Sequence, residues 1–140
     1  MNKPPSWFTA IAGIALVWNL AGLFAVLADL TLSAADIAAL PLAEQALHKA
    51  RPIWSAAASV IAVIGGTLGC VGLLLRKRFA VVALYISLTA LAIQDIGLFV
   101  FASAVAALGI WPLVFQSVVF LIALALLLLG RRALARAWLV

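Results

Sequence analysis

The chain has 140 residues, of which 69% are hydrophobic and 9% are charged, and its formal net charge is +5. Because an ordinary soluble domain is about 45–50% apolar and about 25% charged, this composition excludes a soluble globular protein. The length leaves little room for a separate catalytic domain, so we expect no enzyme. The basic residues border apolar segments, a placement that indicates contact with a lipid bilayer and not with nucleic acid.

Four apolar segments follow one another along the chain, at about residues 7–29, 53–75, 79–103 and 112–130. A bilayer core roughly 30 Å thick is crossed by about 20 helical residues, and backbone groups in lipid must pair within their own segment. We therefore predict an all-α fold, in which residues 1–140 form a single membrane domain, an integral membrane four-helix bundle. The first segment is longer than the apolar region of a signal peptide, so we interpret it as an uncleaved span.

The connection between the first two spans is long and carries helix signals. Ser33 and Asp36, three residues apart, are typical of a capped helical turn. A proline then begins a second helix at about residues 41–51, with Glu44 in its first turn and basic residues near its end. We expect this short helix to lie at the outer, periplasmic surface as an interfacial helix or lid. The alternative is a solvated loop that only joins two spans.

The second span is rich in glycine, with Gly65, Gly66, Gly69 and Gly72. Gly65 and Gly69 form a G-x-x-x-G pattern, which allows another helix backbone to approach closely. We predict that Gly65, Gly69 and Gly72 are helix-packing residues. The neighbouring helix belongs either to the same chain, which is the more economical interpretation, or to another copy.

Among the polar side chains within the spans or at their ends, five are candidate pocket residues: Asn19, Asp29, Gln94, Asp95 and Gln116. Lipid excludes such groups, and a carboxylate within a span costs about 2.5–3.5 kcal/mol unless it is paired, protonated or hydrated. Helical rise places Asn19 near the midplane and the other four toward the outer side. We predict one polar pocket around Asp95 that opens to the periplasm beneath the helix at 41–51. Alternatively, Asp95 only makes a structural hydrogen bond that holds helices together.

Lysine and arginine are unequally divided between the two ends of the predicted bundle. One end carries Lys3, Arg76, Lys77, Arg78, Arg131, Arg132 and Arg136, and the other carries Lys49 and Arg51. Because the cytoplasmic side is the richer in these residues, we predict that the N and C termini are both cytoplasmic. Four tryptophans agree with this orientation, with Trp7 and Trp138 at the cytoplasmic interface and Trp54 and Trp111 at the outer one.

The sequence contains no pattern for catalysis, cofactor binding or metal coordination. The single cysteine, Cys70, lies within an apolar run, and the single histidine, His48, lies alone in a loop. There is no P-loop, no Gly-rich dinucleotide turn, no nucleophile elbow and no cluster with metal-ligand spacing. We therefore expect no catalytic residues, no cofactor and no metal site.

Several short motifs occur along the chain: Trp7-Phe8, Leu16-x-Trp18-Asn19-Leu20-x-Gly22, Ala39-Leu40-Pro41, Pro52-x-Trp54, and Gly65-Gly66-x-Leu68-Gly69-Cys70 running into Leu73-Leu74-Leu75-Arg76-Lys77. In this combination the chain resembles the small four-helix bacterial inner-membrane proteins that are often named sugar transporters. The resemblance covers nearly the whole chain and is most specific over the first 80 residues. It implies a multi-pass protein of the bacterial inner membrane and supplies no catalytic or binding residues.

Two functions fit these features. In the first, the protein binds or passes a small neutral or polar solute through the outer pocket. Because four short helices seldom enclose a transport path alone, passage would require a homo-oligomer. In the second, the protein is an accessory or assembly subunit that packs against another membrane protein and transports nothing. The glycine face of the second span and the apolar fourth span would then contact that partner.

Overall fold

Helices account for most of the computed structural model, which describes residues 2–140. In chain order they are α1 (Ser6–Leu30), α2 (Ala34–Ala38), α3 (Leu42–Ala50), α4 (Ile53–Leu74), α5 (Phe79–Asp95) with a π-helical extension (Ile96–Phe101), α6 (Ala104–Leu108) and α7 (Trp111–Ala135). Residues 2–140 contain no strand, so the prediction of an all-α fold is confirmed. α1, α4, α7 and the continuous helix Phe79–Phe101 are each long and apolar enough to cross a membrane, which fits a multi-pass membrane protein.

Prolines set the start of three helices. Pro5, Pro41 and Pro52 occupy the N-cap positions of α1, α3 and α4, where the backbone is not yet helical and the missing N–H costs nothing. The helix expected at 41–51 is therefore α3, which begins one residue later than expected. The fourth span continues to Ala135, beyond its apolar run, because arginines are favourable in the last turns of a helix.

α4 and α5 form the centre of the bundle. Of the 18 most apolar consecutive residues in each span, 50% are buried in α4 and 39% in the extended α5, against 11% in α1 and 17% in α7. α1 packs on α4, and α7 packs on α5, so the spans are arranged in the order α1, α4, α5, α7. The two flanking spans, α1 and α7, make no sustained contact with each other.

The glycine-rich face of α4 packs within the same chain. Gly65, Gly69 and Gly72 all face α5. A Cβ atom added at Gly65 would lie 3.1 Å from the carbonyl oxygen of Ala83, and one added at Gly72 would lie 2.8 Å from the Cβ of Ala80. There is no room for side chains at this separation, so the glycines set the distance between the two central helices. This face is therefore not available to a second membrane protein.

The end of the bundle that holds both termini, here called the terminal end, is closed by a core from all four spans and the C-terminal tail, residues 136–140. This terminal core includes Phe8, Ala12, Leu73, Leu84, Leu126, Trp138 and Leu139. The tail folds back because Ala137 adopts a left-handed conformation with a φ of 56°. Val140 N then donates to Arg76 O at 2.7 Å, and Arg78 N donates to Val140 O at 3.1 Å. Trp138, expected at the membrane interface, is thus part of the core.

The opposite end, here called the loop end, is covered by short helices. Ser33 and Asp36 form the capping box that their spacing indicates: Asp36 N donates to Ser33 Oγ at 3.1 Å and Ser33 N donates to Asp36 Oδ2 at 2.9 Å. α3 packs against α6, which in turn packs against α7. His48 Nε2 of α3 lies 3.4 Å from Asp29 Oδ1 of α1. The two short helices therefore bridge the flanking spans.

Candidate functional site

A partly open cavity of about 420 Å³ lies among the four spans, between their middle and the loop end. All four spans line it, and the flanking helices α1 and α7 form its opposite walls. Leu126 belongs both to the cavity lining and to the terminal core, so that core closes the inner end. Asp29 and Arg51 line the outer end, while no residue of α3 itself does. The expected lid helix thus reaches the cavity only through the residue that follows it.

Four of the five predicted pocket residues line this cavity: Asn19, Asp29, Gln94 and Gln116. The helical repeat explains how α5 contributes. Ser87, Leu91 and Gln94 are four and three residues apart, so they share one face of the helix, and that face meets the cavity. The serine was not singled out from the sequence, because a serine in an apolar helix usually bonds its own backbone.

Gln94 and Gln116 form an outer amide pair on the cavity wall. Gln94 Nε2 of α5 donates to Gln116 Oε1 of α7 at 3.5 Å. Gln94 is only 7% exposed, so its amide is held between the two spans and away from bulk water. The pair fixes an uncharged hydrogen-bonding surface about one turn inside the start of α7.

The charges at the mouth of the cavity compensate each other. Asp29 Oδ2 lies 3.6 Å from Arg51 Nη1, and its other oxygen faces His48. Arg51 Nε donates to Ser55 Oγ at 3.4 Å, and Ser55 Oγ donates to the carbonyl oxygen of Gln94 at 3.0 Å. Partial burial lowers the pKa of the Arg51 guanidinium, and the Asp29 carboxylate opposes that shift. Asp29 therefore anchors the loop segment to α1 and offers little free charge to a solute.

Asn19 lies at the inner end of the cavity, near the middle of α1. Its Nδ2 donates to Ala15 O at 2.9 Å and to Cys70 Sγ at 3.5 Å. Its Oδ1 lies directly against Gly66 of α4, where a Cβ atom would overlap it. Gly66 is thus the glycine that makes room for a polar side chain, while the other three make room for α5.

Three amide atoms on the cavity wall have no hydrogen-bond partner among residues 2–140: Asn19 Oδ1, Gln94 Oε1 and Gln116 Nε2. In the same residues, no side-chain nitrogen or oxygen is both fully enclosed and unpaired, so each of these three atoms keeps some accessible surface. They can accept from and donate to hydroxyl or carbonyl groups of a bound molecule. The hydroxyls of Ser59 and Ser87 are instead committed to backbone carbonyls, at 2.6 Å each.

Asp95, expected at the centre of the pocket, lies outside the cavity. It lines a neighbouring groove of about 350 Å³ between α5 and α7, with Phe99, Ser117 and Phe120, and Gln116 lines both this groove and the cavity. Successive residues are about 100° apart around a helix, so an inward-facing Gln94 turns its neighbour Asp95 away. The two side chains still touch, since Gln94 Nε2 lies 3.5 Å from Asp95 Oδ1. The sequence indicated the depth of Asp95 in the span, but its direction depends on the packing of α5.

Within residues 2–140, no three His, Cys, Asp or Glu side chains come together as a metal site. No protein family, curated protein or solved structure matches the chain. The cavity and its hydrogen-bonding atoms are therefore the features on which a functional proposal rests.

Proposed function

We propose that this protein lies in the bacterial inner membrane and binds or passes a small uncharged solute through the cavity between α1 and α7. The observation that carries the proposal is the presence of three accessible, unpartnered amide atoms on the wall of a cavity of about 420 Å³. Small-molecule sites are commonly cavities of about 300–1,000 Å³ with apolar walls and a few placed polar groups. This cavity has that size and composition.

The solute is uncharged because the cavity offers little to neutralise a charge. Asp29 is paired with Arg51 and His48, and the remaining polar lining consists of uncharged groups: amides, hydroxyls and the indole of Trp18. Moving an ion from water into such a site costs several kcal/mol without a partner charge. Hydroxyl and carbonyl groups, by contrast, lose less hydration energy than an ion, and hydrogen bonds to the amides replace their hydrogen bonds to water.

The distribution of basic residues supports an orientation with the terminal end in the cytoplasm. Lys3, Arg76 to Arg78 and the arginines of α7 and the tail lie at that end, and Lys49 and Arg51 lie at the loop end. Arg51 is further compensated by Asp29. By the positive-inside rule, the cavity then opens toward the periplasm.

The test is binding of neutral sugars and polyols to the purified protein in lipid nanodiscs, measured by calorimetry. Gln116→Leu removes one amide from the wall, and Thr89→Val removes an exposed hydroxyl of α5 that bonds only its own helix. A ligand that loses a hydrogen bond in a buried site loses about 1–3 kcal/mol, or roughly 5- to 150-fold in affinity. We expect that loss in Gln116→Leu and wild-type affinity in Thr89→Val.

The mass of the purified particle separates binding from passage and from an accessory role. Passage through so small a bundle is expected to require a homo-oligomer. A protein that binds no solute and copurifies with a larger membrane complex would contradict the proposal and favour an accessory or assembly subunit. That role would depend on the outer faces of α1 and α7, since α5 covers the glycine face of α4.

A further inference from the structure

The polar atoms of the cavity form two separate groups. The outer group is the amide pair of Gln94 and Gln116. The inner group is Asn19 Oδ1, beside Gly66 and the side chain of Ser87. Ser87 and Gln94 are seven residues apart on one face of α5, which corresponds to about 10 Å along the helix axis. A molecule that bonds both groups must therefore be elongated.

The wall between the two groups is largely apolar. Leu91 of α5, Ala62 of α4, and Val119 and Ile122 of α7 line this middle section. The hydroxyl of Ser59 also lies there, but it donates to a carbonyl of its own helix at 2.6 Å and is almost wholly buried. Water between the two groups would contact mostly hydrocarbon, so an apolar segment of a ligand is favoured in this section.

We infer that the ligand of the cavity is an elongated uncharged molecule with a hydrogen-bonding group at each end, about 10 Å apart, and an apolar segment between them. The inner end carries a donor such as a hydroxyl, because Asn19 presents its unpartnered oxygen while its nitrogen is already bonded to Ala15 and Cys70. The outer end accepts or donates equally well, because Gln94 presents an oxygen and Gln116 a nitrogen. This inference rests on the proposed function and narrows its ligand class.

Terminal alkanediols of four to twelve carbons are suitable probes, since a hydroxyl both donates and accepts. Binding is measured by calorimetry on the protein in nanodiscs, with empty nanodiscs subtracted and the one-hydroxyl alcohol of equal length as a matched control. We expect an optimum at seven to eight carbons, because the extended hydroxyl separations of these two diols bracket the distance of about 10 Å between the two amide groups. The eight-carbon alcohol should bind about tenfold more weakly, having lost one buried hydrogen bond.

One variant tests the inner end of the ligand, and a pair of variants tests whether the ligand lies in the cavity. Asn19→Ala should reduce the affinity of the eight-carbon diol to about that of the alcohol and leave alcohol binding unchanged. Ala123→Phe fills the cavity from α7 and should abolish binding of both probes, whereas Ala125→Phe, on the exposed face of the same helix, should not.

Three results would overturn the inference. If affinity rises steadily with chain length and alcohols bind as well as diols, the cavity recognises apolar surface alone. If only compact sugars bind, and Gln116→Leu weakens them, the proposed function stands without the elongated ligand. If neither the diols nor the sugars bind, the proposed function fails as well.

Discussion

Single side chains determine which polar groups reach the cavity. Gln94 and Asp95 are neighbours in the sequence and lie at nearly the same depth, yet only Gln94 lines the cavity. The depth of a residue in the bilayer can be predicted from the sequence, because hydropathy gives the bounds of the span and each helical residue adds a fixed rise. Direction follows from which face of α5 packs on α4, and that depends on Gly65 and Gly69 meeting Ala83 and Leu84. The sequence therefore predicts the polar residues of the site better than their partners.

Asp95→Asn should have little effect on binding of an uncharged solute. The substituted amide keeps an oxygen that accepts from Gln94 Nε2, and Asp95 does not line the cavity. We expect affinity within about twofold of the wild type, against a loss of about tenfold in Gln94→Leu. Calorimetry in nanodiscs at neutral pH measures both. If Asp95→Asn weakens binding more than Gln94→Leu does, the solute contacts Asp95, and the assignment of the site to the cavity is wrong.

Gly66→Ala should destabilise the bundle because its Cβ atom overlaps Asn19 Oδ1. Removing the asparagine amide as well relieves that overlap, so the double variant Gly66→Ala, Asn19→Ala should be more stable than Gly66→Ala alone. For side chains in direct contact, the coupling is about 0.5–3 kcal/mol. Unfolding in detergent measures the four proteins of the cycle.

The matched control for this cycle is Gly22→Ala. A Cβ atom at Gly22 would lie 3.6 Å from Val63 Cγ1, an ordinary contact, so this variant should fold with wild-type or slightly higher stability. Strictly additive effects of Gly66→Ala and Asn19→Ala would show that the overlap is relieved in another way.

Ala137→Gly should stabilise the protein. Ala137 is exposed, and its φ of 56° is unfavourable for any residue with a Cβ atom. The left-handed conformation costs a residue with a Cβ atom about 1–2 kcal/mol, and glycine avoids this cost. Glycine also gives the unfolded chain more conformational freedom, which lowers the stability of the folded protein by about 0.4–1 kcal/mol. A net gain of about 0.5–1 kcal/mol is expected in the same unfolding assay. Ala135→Gly, in the last helical turn, should instead lose stability.

At the scale of elements, the long apolar helices are the most predictable and the short ones the least. The four spans follow from hydropathy, and α3 follows from its proline and charge pattern. The π-helical extension of α5 was not expected. It arises where Gly97 packs against Ser55 so closely that no Cβ fits, and Ala102 N bonds Gly97 O at 3.0 Å, five residues back. Such a change depends on a neighbouring helix, which no local pattern reveals.

The cap of α2 should respond to acid in a predictable way. The Ser33 backbone N–H and the Ser33 side chain both lower the pKa of Asp36 below its ordinary value of about 3.9. The ionised carboxylate therefore contributes to the cap at neutral pH, and that contribution is lost only as the pH falls through the lowered pKa. NMR of the Ser33 amide and the Asp36 carboxyl measures the titration midpoint.

Two substitutions at Ser33 separate the contributions of its backbone N–H and its side chain to the pKa of Asp36. Ser33→Ala keeps the N–H donor and should raise the midpoint of Asp36 slightly. Ser33→Pro removes that donor at a residue whose φ of −74° suits proline, as at Pro5 and Pro41. It should raise the midpoint further, toward the ordinary value. An equal midpoint in all three proteins would show that the capping hydrogen bonds do not set the titration.

At the scale of the whole molecule, the bundle is closed at one end and hollow at the other. The terminal core joins all four spans, while toward the loop end α1 and α7 are separated by the cavity and bridged only by α3 and α6. The charge bias of the sequence predicts which end faces the cytoplasm, but not that this end is the packed one. The terminal end is the packed one because the C-terminal tail folds back and adds Trp138 and Leu139 to its core.

Cysteine labelling tests the orientation. Cys70 is fully buried, so a thiol reagent should not label it, and any labelling reports on the introduced cysteine. A membrane-impermeant maleimide should label Ala39→Cys, in an exposed position at the loop end, in intact bacterial cells. Ala135→Cys, exposed at the terminal end, should react only after the membrane is permeabilised. The reverse pattern would place the cavity mouth in the cytoplasm.

The tail also imposes an order on biosynthesis. Trp138 and Leu139 complete the terminal core, and they leave the ribosome after every residue of the four spans. The terminal core therefore cannot be completed until both α7 and the tail have been synthesised. Packing at this end is therefore a late step of folding, because it needs residues of all four spans together with the last residues of the tail. A chain that stops within α7 would lack this layer and leave the terminal end of the bundle unclosed.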